Sequence, residues 1–316
     1  MVYVVSDLHG AWEPYARYRD DFLTLHSSGR ADVLVFLGDI IHSYGPAETD
    51  YSLEMLLDIM QIQEELGRDQ VVMLIGNHEL PHIYGVTLSK GDNVFTPRFE
   101  HALGSYRKSV VAFLQSLPFI VRTPSGILLT HAGASPATAR PEVAGRLLRF
   151  SHQSLLSEAD RLLDRPDVHA LLAAYGQQLG RDYADLAWEF LAAAPGDPRY
   201  PDLLRGFLAS NLEPEWTELW ELLFTQCERQ HGAFYPRILA RFLESYSAPN
   251  SPQRIAVTGH ISVSGCCEVL ADRQFRLASW AHATPSEDGA ALLFDAGRSV
   301  SDAADLVDFL RPLAML

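Results

Sequence analysis

An α/β fold whose sheet is at least partly parallel follows from three features of this 316-residue chain. Short, largely β-branched apolar runs recur at Val2 to Val5, Val33 to Leu37, Val71 to Ile75, Ile127 to Thr130 and Ile255 to Thr258, each long enough for one buried strand. Helical patterns separate several of them, so the first 80 residues read strand, helix, strand, as βαβ units do. From about Pro141 to Ser247 the character changes to Leu-, Ala- and Trp-rich helical segments.

The elements justify this reading in order. "YSLEMLLDIMQIQEELG" places Leu53, Leu56, Leu57, Met60 and Ile62 near one helical face and ends in Gly67, which suits a C-cap. The helical segments "YADLAWEFLAAA" and "EWTELWELLF" are broken by "PGDPRYP". A further strand of the same type, "RIAVTGH", comes after them, so residues 141–247 read as a helical insertion within a single domain spanning 1–316. The final part, "QFRLASWAH" and "AALLFDAG", reads as antiparallel strands. With 47% hydrophobic residues the chain can bury a large core.

Charge and cysteine content narrow the setting. Twenty-five Lys and Arg against 40 Asp and Glu give a formal charge of −15, with no long basic block, so the overall field repels nucleic acid. An anionic substrate must then be held by local positive charge. Cys227, Cys266 and Cys267 form no CxxC pair and no disulfide framework, which fits a reducing compartment. The first strand begins at Val2, leaving no room for a signal peptide, and no apolar stretch approaches the roughly 20 residues of a membrane span. The expectation is a cytoplasmic protein with no membrane partner.

The residues directly after the five apolar runs carry the chemistry. "YVVSDLHG" supplies Asp7 and His9, "LVFLGDI" Asp39, "MLIGNHE" Asn77 and His78, "LLTHAG" His131, and "AVTGH" His260. In open α/β sheets, loops from neighbouring strands converge beyond the carboxyl ends, where ligands bind. Asp7 and His9 are two apart and in an extended segment point to the same side; Asn77 and His78 are adjacent and point differently. Any one strand-end Asp or His is ordinarily a cap or turn residue. Leaving His78 aside, two Asp, three His and one Asn at the same topological position are another matter, because carboxylates and imidazoles brought together without a metal are costly to desolvate.

In this order, "SDLHG", "GDI", "GNHE", "HAG" and "GH" resemble the motifs of the calcineurin-like metallophosphoesterases, which run D-x-H, G-D, G-N-H-[DE], H and G-H. The GNHE form and the single His of "GHIS" are most similar to the branch containing serine/threonine protein phosphatases and symmetric diadenosine tetraphosphate hydrolases. The resemblance implies a mixed β-sheet sandwich flanked by helices. It implies that Asp7, His9 and Asp39 hold one metal and Asp39, Asn77, His131 and His260 a second, with Asp39 bridging. Mixed imidazole and carboxylate ligation suits Mn, Fe or Zn. The family chemistry is attack on a phosphoester by a hydroxide bridging two cations, with His78 placed by its motif to protonate the leaving group.

The chain departs from that pattern after Asp39. Protein phosphatases of this branch carry G-D-x-x-D-R-G, whose second Asp orients the catalytic His and whose Arg binds phosphate, whereas "GDIIHSYGP" has His42 and Ser43 there. His42 is either a phosphate contact or an exposed turn residue. Arg229 in "QCERQHGAF" is a candidate for a second family Arg, with Arg98 and Arg107 as alternatives, and Glu79 is taken as structural. The resemblance implies a phosphomonoesterase acting on phosphoproteins or small phosphoesters; a dinucleoside polyphosphate hydrolase or phosphodiesterase is the alternative, and a catalytically weak metal-binding interaction module the third.

Overall fold

The computed structural model describes every residue of the chain except Asp92 and Cys227. Its strands are β1 (Val2–Val5), β2 (Val33–Phe36), β3 (Val71–Met73), β4 (Ser89–Lys90), β5 (Asn93–Val94), β6 (Ile120–Arg122), β7 (Ile127–Thr130), β8 (Ile255–Thr258), β9 (Cys267–Leu270), β10 (Gln274–Leu277), β11 (Ala290–Phe294) and β12 (Leu310–Pro312). They form two five-stranded sheets, ordered β12-β11-β1-β2-β3 and β6-β7-β8-β10-β9, beside a β4-β5 hairpin. The pairs β1–β2, β2–β3, β7–β8 and β8–β10 are parallel, while β11 and β9 pair antiparallel to their neighbours.

Period-two side-chain alternation builds the layers. Val2 and Val4 of β1 and Ile127 and Leu129 of β7 pack with Ile255, Val257, Phe275 and Leu292 between the sheets. Tyr3, Val5 and Leu128 face the other way, into a second core shared with the helices. Helices α1 (Trp12–Ser27) and α2 (Ser52–Leu66) cover that outer face of the first sheet. The arrangement is a mixed sandwich flanked by helices. Within α2 the buried stripe is Met55, Leu56, Ile59 and Ile62, and Leu53, Leu57 and Met60 sit at its margin; the stripe is rotated from the sequence reading because Met55 and Ile59 complete the i, i+4 row.

Three short helices come after β3: α3 (Leu80–Tyr84), α4 (Thr96–Leu103) and α5 (Arg107–Gln115). The segment between β7 and β8 is helical from α6 (Pro141–Leu147) through α7 (His152–Leu163), α8 (Val168–Gln178), α9 (Tyr183–Leu191), α10 (Asp202–Ala209), α11 (Glu215–Leu223) and α12 (Glu228–His231) to α13 (Tyr235–Ser245). Leu172, Tyr183, Leu186, Leu191 and Leu203 give α8 to α10 a small core of their own. These helices also pack on the earlier part of the chain, α10 against α3 and α9 against α4. The α10 contact needs Gly206, where a Cβ would lie 2.3 Å from the Tyr84 carbonyl oxygen. Among the described residues no helix is long and apolar enough to cross a membrane. Cys266 and Cys267 carry no disulfide, and Cys227 lies outside the described residues.

Candidate metal centre

The carboxyl ends of β1, β2, β3, β7 and β8 converge, and backbone hydrogen bonds lace their loops together. Asp39 O accepts from the N–H of both Leu8 and His9 at 3.0 Å, His131 O accepts from Gly259 N at 2.9 Å, and Asp7 O accepts from Ala281 N at 3.0 Å. The turns are tight. Asp7, His9, Asp39 and His260 all have positive φ, at 45°, 46°, 53° and 70°. Non-glycine residues held there cost on the order of 1–3 kcal/mol each and cluster where function demands them. This corrects the extended reading of Asp7 and His9: left-handed turns, and not strand alternation, bring their side chains together.

Two groups of ligand atoms result. Single donor atoms of Asp7, His9, Asp39 and His282 lie within 4.8 Å of one another, as do those of Asp39, His131 and His260. Asp39 Oδ2 is common ground, 3.7 Å from His9 Nε2 and 3.6 Å from His131 Nε2. Asn77 Oδ1 is 2.9 Å from His131 Nε2, so all six residues marked as ligands in the sequence meet around one carboxylate. Sequence reasoning missed His282, whose Nε2 lies 3.5 Å from Asp7 Oδ1. It sits beyond β10, which runs parallel to β8, so a strand-end search extended a few residues past Leu277 would have found it.

Hydrogen bonds aim the rings. His9 Nδ1 contacts the carbonyls of Ile41 and His42 at 3.1 and 3.2 Å, and His131 Nδ1 contacts Leu37 O at 2.9 Å. A carbonyl only accepts, so each Nδ1 carries the proton and each Nε2 presents its lone pair. His9 Nε2 is buried with no hydrogen-bond partner among the described residues. Asp7 accepts from His260 N with both oxygens, at 3.0 and 3.1 Å. Glu79 accepts from the N–H of Gly76, Asp39 and Ile40 at 2.9, 3.0 and 2.9 Å, tying the β2 and β3 loops together. Glycines make room: a Cβ on Gly76 would lie 2.3 Å from Asp39 Oδ1, and one on Gly259 would lie 2.0 Å from Asp7 Oδ2.

The electrostatics point to a missing positive charge. Burial, with Asp39 beside it, drives the Asp7 carboxyl well above the carboxylate range. Burial pushes Asp39 up to about 7, and burial together with Asp39 pushes Glu79 up to about 7. Burial pulls His131 down to about 4 and His282 down to about 3, and lowers His9, His78 and His260 strongly. Neither sign of charge is comfortable here without a partner. Convergent carboxylates, neutral imidazoles with exposed lone pairs and an orphaned Nε2 fit a divalent cation bound by oxygen and nitrogen.

A cavity of about 450 Å³ opens on this cluster, lined by Asp39, Asn77, His78 and His260 with Tyr44, Lys90, Phe95, Trp220, Phe224 and Arg229. Arg229 therefore stands on its wall. Arg98 instead bonds the carbonyls of Ser43 and Gly45, and Arg107 bonds Glu100. His42 corrects both sequence readings. It is 2% exposed, does not line the cavity, and has Nδ1 at 3.1 Å from His78 Nδ1 and Nε2 at 2.7 Å from His82 Nε2.

Comparison with solved structures finds a protein serine/threonine phosphatase from Saccharomyces cerevisiae, described as similar to a human phosphatase, at 15% identity over 94% of this chain and 76% of that one, with a TM-score of 0.47. A metallophosphoesterase from Sphaerobacter thermophilus matches at 20% identity over 42% of this chain and 46% of that one, with a TM-score of 0.25. The search of curated proteins finds no match. Residues 1–194 match the family described as calcineurin-like phosphoesterase, and this stretch holds β1, β2, β3 and β7 with Asp7, His9, Asp39, Asn77, His78 and His131. The chain belongs to the calcineurin-like phosphoesterase family.

Proposed function

We propose that this chain is a metal-dependent phosphomonoesterase acting on phosphoproteins or small phosphoesters, built as one domain in which the helices from α6 to α13 are an insertion. The observation that carries the reading is the meeting of Asp7, His9, Asn77, His131 and His260 around Asp39, with the unpartnered His9 Nε2 among them. Asp7, His9 and Asp39 would hold one cation, with His282 in reach, and Asp39, Asn77, His131 and His260 the second; Mn, Fe or Zn suits this donor set. When bound, such a pair supplies Lewis-acid charge to a phosphoryl group and acidifies a water.

The chain's own groups do the rest. Lys90 and Arg229 on the cavity wall offset the −15 charge locally and orient a phosphate. His78, with Nδ1 occupied by His42 and Nε2 toward Asp39 at 4.0 Å, is placed to deliver a proton through Nε2 to the departing ester oxygen. Trp220 and Phe224, stacked 3.9 Å apart on the wall, offer an apolar surface to the leaving group.

The test strips the protein with chelator, restores Mn, Zn or Fe, and compares para-nitrophenyl phosphate, its bis-ester, a phosphopeptide and diadenosine tetraphosphate. Preference for the monoesters supports the proposal. Preference for the bis-ester or the tetraphosphate replaces it with the diester or anhydride reading, and bound metal with no turnover replaces it with a binding module.

A further inference from the structure

Behind His78 runs an unbroken line of buried polar contacts. His78 Nδ1 meets His42 Nδ1 at 3.1 Å, His42 Nε2 meets His82 Nε2 at 2.7 Å, and His82 Nδ1 meets Glu100 Oε1 at 2.7 Å. Arg107 closes the line, donating from Nε to Glu100 Oε2 at 2.8 Å. All four members from His78 to Glu100 are at most 5% exposed. Phe95 stacks on the His42 ring at 5.4 Å and 12°, and Phe99 meets the rings of His42 and His82 edge-on at 6.0 and 4.8 Å. Four elements contribute: the loop after β2, the loop after β3, α3 and α4. A left-handed turn at His42, φ 72°, with its N–H donating to Ser52 Oγ at 2.9 Å, swings that ring inward.

The line has a direction. Glu100 can only accept when ionised, and Arg107 can only donate, so Glu100 Oε1 takes the Nδ1 proton of His82. Counting one proton per ring, His82 Nε2 is then an acceptor, His42 Nε2 the donor to it, His42 Nδ1 an acceptor, and His78 Nδ1 the donor to that. With every ring neutral, each step leaves no second choice. The result is a His78 whose Nδ1 proton is fixed and whose Nε2 alone faces Asp39 and the cavity.

We propose that Glu100, acting through His82 and His42, is the orienting carboxylate for His78, a role that the sequence at position 42 left unfilled. His42, His82 and Glu100 are positioning residues in this scheme. As the water attacks, its proton passes to the bare His78 Nε2 and on to the ester oxygen as the P–O bond breaks, while the Nδ1 proton stays on His78, held against His42 Nδ1. This rests on the phosphomonoesterase reading for its kinetic consequence, but the hydrogen-bond direction stands apart from it.

Two measurements test the proposal. Two-bond 1H–15N correlation spectra of the full chain, metal-free and with zinc supplied, should show His78 and His82 protonated at Nδ1 and His42 at Nε2. A His42 protonated at Nδ1 reverses the line and overturns the proposal, and this reading needs neither a variant nor turnover. In kinetics, Glu100→Gln and His42→Phe should lower kcat for phenyl phosphate by about tenfold or more relative to their effect on para-nitrophenyl phosphate, whose leaving group needs little help from an acid, with metal content unchanged. Equal losses on both substrates would mean a merely structural role and would overturn it. If the unaltered protein hydrolyses neither ester, the proposed activity falls while the tautomers still decide the relay.

Discussion

Gly259→Ala is the sharpest single perturbation of the site. The new Cβ would sit 2.0 Å from Asp7 Oδ2 and 3.0 Å from Ser6 Cβ, whereas contacts become ordinary only at 3.4 Å. The carboxylate must therefore retreat by about 1.4 Å, and Asp7 has no exposure to retreat into. It also holds the His260 N–H with both oxygens. Overpacking of this kind costs about 1–3 kcal/mol, and unpairing a buried N–H costs about 1–3 kcal/mol more, so a stability loss of about 2–6 kcal/mol is expected. The effect on metal is steeper, since ligand distances tolerate only about 0.2 Å. Dialysed Gly259→Ala, measured by elemental analysis, should hold at least one metal fewer per chain than the unaltered protein while keeping its far-ultraviolet dichroism. Full metal content and an unchanged melting temperature would refute the reasoning that this glycine exists to make room for a ligand.

Other expectations rest on the same geometry. His78→Asn should cut turnover on the order of 100-fold with near-normal metal content, whereas Asp39→Asn should lower both; equal metal loss in the two variants argues against the separate roles given to them. Because burial holds the Asp39 carboxyl near 7, a metal must displace its proton below that pH. Apparent metal affinity, read with a competing indicator, should rise as pH climbs through about 7, and a pH-independent affinity contradicts the assignment. Burial raises the Glu100 carboxyl, but His82 and Arg107 more than offset this and hold it below its ordinary value. A depressed carboxyl adds stability above its unfolded value and loses it as pH falls through the folded one. The gap in urea midpoint between the native chain and Glu100→Gln should therefore be open near neutrality and close in acid; a gap that widens in acid has the wrong sign.

Much of the site was legible because its residues interrupt apolar strands. Asp7, Asp39, Asn77, His131 and His260 each stop a run that would otherwise read as core, and parallel strands put such stops on one edge of the sheets. His282 was not legible, since four irregular residues separate it from β10 and blur the strand-end signal. The left-handed backbone at Asp7 and His9 was hidden too: neither residue type demands positive φ, and the turn is imposed by the hydrogen bonds to Asp39 O. The partners of His42 were beyond reach for a different reason. His82 lies on α3 and Glu100 on α4, and their meeting depends on how two helices pack, for which a single sequence carries no local mark.

A pair of cations sharing Asp39 is the feature on which the proposed chemistry turns. Anomalous diffraction from crystals grown with manganese tests it most directly. Two peaks should flank the Asp39 carboxylate, one enclosed by Asp7 and His9 and the other by Asn77, His131 and His260. Peaks elsewhere, or manganese-loaded protein with these side chains turned away from any density, would contradict it.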